Sequence, residues 1–291
     1  MPRRLVLPSP TLRPLVQFYA LLSGEAPRAE QHSFLPEHTA HLTFHTGNSW
    51  VLSPDGLMTP LPTATLDGLV TAPTALMSEG PVRALRAELY PWAARHLFGW
   101  SYPEAPLDLL GGAAGPRSSG AARKIQAALA AHDDEAALGL LDDWLLGLLA
   151  ERVWTPGVGV RAAVQLYPAD GMMVGEPVRM ADLAEELGVS PRTLERQFLQ
   201  EVGIGAKTLS RLIRFETAYN TLSGAPQTPL ASLAYEMGFA DQAHLTREFR
   251  ALSGLTPGHF ARLAGARGQP EFEGSDVLDD NPRLLRPVLP D

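Results

Sequence analysis

Two stretches decide the fold: MADLAEELGVSPRTLERQFLQEVG, Met180 to Gly203, and PLASLAYEMGFADQAHLTREFRALSG, Pro229 to Gly254. Each reads as an apolar helix, a turn at Gly and a second, amphipathic helix. In each second helix an Arg follows closely on the first Leu, as Leu194-Glu195-Arg196 and Leu245-Thr246-Arg247. A short helix, a tight turn and a helix with outward polar residues near its start have the shape of a major-groove reader. Two copies point to a chain that binds duplex DNA and regulates transcription.

The starts of both second helices are written in the sequence. Ser190 is the expected N-cap of the first, with Pro191 at the first helical position, where its missing N–H costs nothing. Leu194 and Phe198 then face inward, and Arg192, Thr193, Glu195, Arg196 and Gln197 face outward. Arg196 suits a bidentate pair with guanine O6 and N7. Glu195 can accept from cytosine N4, or serve as a solvated charge or a partner that holds an Arg. In the second copy Asp241 is the expected cap, Leu245 and Phe249 face inward, and Gln242, Ala243, Thr246 and Arg247 face outward. Gln242 suits adenine, Arg247 suits guanine, and Ala243 or Thr246 suits a thymine methyl. His244 reads either as a phosphate contact or as cover for the helix surface, and cover is favoured. Between the copies AKTLSRLIRFETAYNTLSG has a broad apolar face and predicts one long helix that fixes their separation. Readers entering the same face of DNA stand about 34 Å apart.

Residues 175–264 resemble the AraC/XylS family of transcription regulators. The match includes a linker-helix pattern RxxRFExA and the ending Gly254-Leu255-Thr256-Pro257-Gly258-His259-Phe260. The resemblance implies a domain of about seven helices. It implies that Arg192, Glu195 and Arg196, with Gln242, Ala243, Thr246 and Arg247, match base-facing positions of the family. Ala243 stands where a polar residue is often found, and Glu195 where a neutral amide is common, so the DNA preference is this chain's own. The N-terminal half resembles a subgroup of the same family. FLPEHTAHLTFHTG is similar to a strand pair that often carries a Pro-Asp-Gly turn, here replaced by Pro36-Glu37-His38. ELYPWAARHLFG is similar to a strand, turn and short helix, with Pro91-Trp92 in place of Pro-Gly. That resemblance implies a cupin-like β-barrel.

Composition narrows the function further. The chain has 291 residues, 45% of them hydrophobic, which predicts two or three domains with ample core. It has no Cys, which excludes disulfides, zinc ribbons, thiolate nucleophiles and the cysteine-dependent DNA repair methyltransferases that share an AraC-like segment. Absence of Cys fits a reducing cytoplasm. No signal peptide is expected at MPRRLVLPSPTLRP, and the apolar run AALGLLDDWLLGLLA is broken by Asp142 and Asp143, so no membrane span is expected. The net charge is −8, and residues 175–265 hold nine basic against ten acidic residues. Affinity for DNA must then come from where the Arg residues sit, and non-specific binding is expected to be modest and salt-dependent.

Upstream, HLTFHTG and WVLSP read as short strands and LDGLVTAPTALMS as two more; PVRALRAELY suits a helix through Val82, Leu85 and Leu89 or a strand into the turn Tyr90-Pro91-Trp92, and the strand is favoured. WAARHLFGW reads as a helix, GGAAGPRSSG (111–120) as a linker or mobile loop, and Pro54-Asp55-Gly56 as a turn. Residues 121–152 read as helices broken at His132-Asp133-Asp134, followed by a helix over roughly 157–167. These helices either pack on the β domain or couple and dimerise the chain. His32, His38, His41 and His45 invite a metal reading, yet a metal cupin shows a His-x-His pair in a fixed frame. Surface or half-buried histidines are expected instead. Trp50, Trp92, Trp100, Phe34, Phe44 and Tyr90 either fill the barrel core or line an apolar ligand site. No phosphate loop, nucleophile elbow or dinucleotide fingerprint is present.

The sequence therefore predicts a multidomain α+β chain. An N-terminal cupin-like β-barrel or sandwich (1–115) joins through a helical connector (116–170) to an all-α domain with two helix-turn-helix motifs (171–265). An acidic, disordered tail (266–291) follows. The function expected is sequence-specific DNA binding and transcription regulation, without catalytic residues, metal or cofactor. Double-stranded DNA and RNA polymerase are the expected partners, with room for a small-molecule effector and a second copy of the chain. A metal-dependent cupin-like enzyme and an interaction protein with decayed readers are the alternatives.

Overall fold

The computed structural model describes residues 3–53, 55–99, 106–151, 154–167 and 178–267, with Pro287 and Leu289. Two long strands organise the N-terminal half. β2 (Val16–Phe34) runs antiparallel to β7 (Thr74–Leu89), from Val16 opposite Leu89 to Phe34 opposite Thr74. A register shift between Ala26 and Glu30 divides this ribbon into two arms. Such an irregularity bends a strand pair and increases its twist. One arm continues through β3 (Ala40–His45), β6 (Ala64–Asp67) and β8 (Leu107–Asp108), and carries β1 (Arg3–Val6) on its other edge. The other arm carries β4 (Asn48–Leu52), which pairs with the start of β7 and with β5 (Met58–Pro60). Every pairing is antiparallel. Among the described residues no ladder joins the outer strands β1 and β8.

The first arm has two contrasting faces, as strand alternation requires. Tyr19, Leu21, Leu42, Phe44, Leu66, Leu85 and Ala87 form the apolar one, all buried. Helices α2 (Gly115–Ala130) and α3 (Asp134–Ala150) share its core through Ile125, Leu129, Leu141 and Leu145. Trp144 meets Phe44 edge-on at 6.4 Å, and the Tyr19 hydroxyl donates to Asp142 Oδ1 at 2.8 Å. Burial and that hydrogen bond raise the Tyr19 pKa. The connecting helices thus pack on the β domain. Short helix α1 (Ala93–Phe98) follows β7, and Tyr90 stacks on Trp92 at 5.0 Å with Trp92 Nε1 donating to Pro14 O. Phe44, Tyr90 and Trp92 are core residues, Phe34 and Trp50 are half-buried, and Trp100 lies outside the described residues.

One expected loop is a helix. Residues 111–120 form a short 3-10 turn (Gly112–Ala114) and the start of α2. Pro116 sits in the first turn, where it costs no hydrogen bond. The small Ser118 and Ser119 are buried there, and the Ser119 hydroxyl donates to Gly115 O at 3.0 Å. Gly and Ser, read as linker composition, serve here as small packing residues. The break at His132-Asp133-Asp134 is present, with Asp133 capping α3 by accepting from Ala136 N. Arg152 and most of the acidic tail lie outside the described residues, although Leu289 packs against the main core. No helix among the described residues is long and apolar enough to cross a membrane.

The remaining helices are α4 (Val158–Val164), α5 (Met180–Glu186), α6 (Pro191–Val202), α7 (Ala206–Gly224), α8 (Leu230–Glu236), α9 (Gln242–Ser253) and α10 (Pro257–Arg267). α4 lies tightly on α6. A Cβ at Gly159 would stand 2.6 Å from Gln197 O, so only Gly permits that approach. Glu201 Oε2 accepts from Val160 N at 2.9 Å and holds the start of α4. The first reader shares one continuous core with the β domain, through Leu183, Leu194, Phe198, Leu209 and Ile213. The second has its own core, built on Phe215, Tyr219, Phe249 and Phe260, which also takes in Leu35 from the β domain.

Candidate nucleic-acid interface

The two readers are built alike. α5 turns at Gly188 into α6, and α8 turns at Gly238 into α9; both glycines have φ of +68°, a conformation that side chains disfavour. Ser190 caps α6 by accepting from Thr193 N at 3.2 Å, and Asp241 caps α9 by accepting from His244 N at 2.6 Å. Both second helices have 12 residues and end at a left-handed glycine, Gly203 or Gly254. Their inner stripes are Leu194, Phe198 and Val202, and Leu245, Phe249 and Leu252, all buried. Phe249 packs edge-on against Phe215 at 5.2 Å. That burial fixes which side of each helix remains outward.

On that side stand Arg192, Glu195 and Arg196 of α6, and Gln242, Ala243 and Arg247 of α9, all exposed. Among the described residues no ion pair engages Arg192, Glu195, Arg196 or Arg247. Arg196 and Arg247 occupy equivalent places, each two residues before the buried Phe. Thr193 is half-buried, its hydroxyl 2.8 Å from that of Ser190. Thr246 is also half-buried, and its hydroxyl donates to Gln242 O at 2.8 Å. Gln197 is half-buried with Oε1 withdrawn from solvent, on the side where its backbone meets α4. His244 covers the helix surface, edge-on to Phe239 at 5.4 Å.

Two arginines of the linker helix α7 have roles that sequence reasoning missed. Arg211 pairs with Glu248 of α9. Arg214 Nη1 donates to Gly238 O at 3.2 Å, and its guanidinium lies 5.0 Å from the centre of the Phe239 ring. Burial lowers the Arg214 pKa. Together these contacts lock the turn of the second reader onto the linker helix. Both arginines belong to the RxxRFExA pattern, which was the available signal.

The expectation of surface or half-buried histidines does not hold at the three whose side chains are described. His38, His41 and His45 are buried at 0%, 5% and 4% exposure, and nothing is described for the His32 side chain. His38 and His41 flank the turn into β3, and His45 ends that strand. His45 donates from Nε2 to Pro62 O at 3.1 Å, and burial lowers its pKa. His38 accepts from Gln17 Nε2 at 3.1 Å and donates from Nδ1 to Glu216 of α7. His41 lies on the polar face of the sheet beside Glu37, Glu88 and Arg86. Its pKa is raised to about 9; burial and Arg86 oppose that rise, and the two carboxylates outweigh them. Asp67, also on this face, has its pKa raised by burial.

Comparison with known proteins finds two matched regions. Residues 183–263 match the family described as "Helix-turn-helix domain", and residues 4–105 match one described as "Domain of unknown function (DUF6597)". The chain is 33% identical over 120 residues to the HTH-type transcriptional regulator GlxA of Rhizobium meliloti, covering 41% of this chain and 36% of that protein. It is 34% identical over 120 residues to the HTH-type transcriptional regulator RipA of Corynebacterium glutamicum, covering 39% and 34%. The matched part spans about a third of the length of these relatives. Among solved structures, ToxT from Vibrio cholerae O395 aligns over 84% of this chain and 98% of its own, at 11% identity and a TM-score of 0.47.

Proposed function

We propose, from the premise that the chain carries an AraC/XylS-type helix-turn-helix domain over residues 183–263, that it is a sequence-specific DNA-binding transcription regulator. α6 and α9 enter successive major grooves, and α7 sets their separation. Arg192, Thr193, Glu195, Arg196 and Gln197 of the first helix, with Gln242, Ala243, Thr246 and Arg247 of the second, form the reading surface. Arg196 and Arg247 supply bidentate contacts to guanine. The observation that carries this reading is the pairing of those two arginines at equivalent outward places on two capped helices tied to one linker helix.

The β domain and its packed helices act as the sensor or dimerisation unit, roughly 1–115 with the connector 116–170. The reading unit follows at 171–265, and the tail at 266–291. RNA polymerase is the downstream partner, the chain works in the cytoplasm, and it carries out no catalysis. A small-molecule effector at the N-terminal domain acts only by favouring one conformation over another. Selection from random duplex DNA at two salt concentrations tests the reading. The expected result is a motif of two short blocks about one helical turn apart, with affinity falling steeply as salt rises. Enrichment of a single block, or of none at low salt, contradicts it.

A further inference from the structure

The polar face of the sheet holds a set of groups that DNA binding does not use. Strand register places His41 of β3 directly opposite Glu88 of β7, and Glu37 reaches the same point from the turn before β3. His41 Nε2 lies 2.8 Å from Glu37 Oε2 and 3.0 Å from Glu88 Oε2, with Thr39 Oγ1 at 3.3 Å. One donor atom from each of Glu37, His41 and Glu88 falls within 4.8 Å of the others, and all three residues are buried. We propose that Glu37, His41 and Glu88 bind one divalent transition-metal cation of the Zn²⁺ or Mn²⁺ class.

Three observations support the site. Separations near 3 Å are those that ligands set roughly 2.1 Å from a shared cation subtend. An imidazole nitrogen carries at most one hydrogen, and two carboxylate oxygens, Glu37 Oε2 and Glu88 Oε2, converge on His41 Nε2. The Thr39 hydroxyl does not supply another donor to His41, since it donates to Glu88 Oε2 at 2.9 Å. Arg86 Nη2 sits 2.5 Å from the other oxygen of Glu88, Oε1, and 3.8 Å from Glu37 Oε2, and so orients Glu88 Oε2 toward the site. One nitrogen with two carboxylates suits borderline and harder divalent ions.

The test uses the full chain, stripped with chelator and dialysed separately against Zn²⁺ and Mn²⁺ at micromolar free concentration, with bound metal counted by mass spectrometry. The expected result is one tightly held equivalent per chain. Its affinity should fall in Glu37→Gln by more than the roughly 10–100-fold typical of losing an outer partner. Retention of neither metal, or equal retention by Glu37→Gln, overturns the site and leaves a proton on His41 as the counter-charge. A second measurement needs no variant: Mn²⁺ titrated into the unmutated chain should broaden the ring resonances of His41 before those of His38 and His45. Broadening that begins at another histidine also overturns the assignment.

Discussion

His38 Nδ1 lies 2.6 Å from Glu216 Oε2, and the His38 backbone N–H points at the same oxygen at 3.3 Å. Both residues are buried, and they join the turn before β3 to the helix that carries both readers. Removing one side chain leaves the other desolvated, with only Gln17 Nε2 remaining for His38 or the backbone N–H of residue 38 for Glu216. His38→Ala should therefore cost about 3 kcal/mol. Glu216→Gln keeps an acceptor and should cost less. Urea unfolding of His38→Ala, Glu216→Ala and their double mutant checks the pair. A coupling of at least about 1 kcal/mol is expected, and additive losses would refute a direct latch.

Arg214 holds the second reader by its turn. Arg214→Met keeps the stem but loses the bond to Gly238 O and the contact with Phe239. The expected loss is about 1–2 kcal/mol, concentrated locally. Hydrogen exchange should accelerate around residues 238–245 and stay unchanged in α6. Equal acceleration in both readers would mean that Arg214 supports the domain as a whole.

The two caps are equivalent and distant. Ser190→Ala and Asp241→Ala should each destabilise by about 1 kcal/mol, and Ser190→Asn should be nearly neutral. Thermal unfolding of the three variants and of the double alanine mutant checks this, with additivity expected for separate helices.

His45 gives acid sensitivity with a definite sign. Burial holds its folded pKa below the ordinary 6.5. The unfolded chain therefore takes up the proton first as pH falls. The associated stability is present above pH 6.5 and is lost as pH drops below it. Unfolding midpoints of the wild-type chain and His45→Gln, followed from pH 7.5 to 5, should approach each other toward the acid end. A gap that does not change with pH would contradict this role.

The sequence shows the reading unit more clearly than the β domain because its signals are local. Ser190-Pro191, Asp241, Gly188 and Gly238 act within one turn of themselves, and α7 spans the whole run expected to be helical. β2 escapes notice because Gly24 and Pro27 interrupt it, and what makes it a strand is a ladder to the distant β7. The segment 111–120 misleads because Gly, Pro and Ser suit a helix start against a sheet as well as a loop. Glu216 stands in a recognisable motif, yet its partner lies 178 residues away, and pairing at that range leaves no periodic trace. The site at Glu37, His41 and Glu88 draws on two separate segments and mixes residue types, so a search for paired histidines passes over it.

The account centres on two arginines that read two separate blocks of DNA. The most direct measurement repeats the random-duplex selection with Arg196→Ala and with Arg247→Ala. Each variant should lose roughly 1–3 kcal/mol of discrimination at one base pair, in a different block for each, with the other block intact. An unchanged preference in both variants, or loss at the same base pair in both, would contradict the two-reader account.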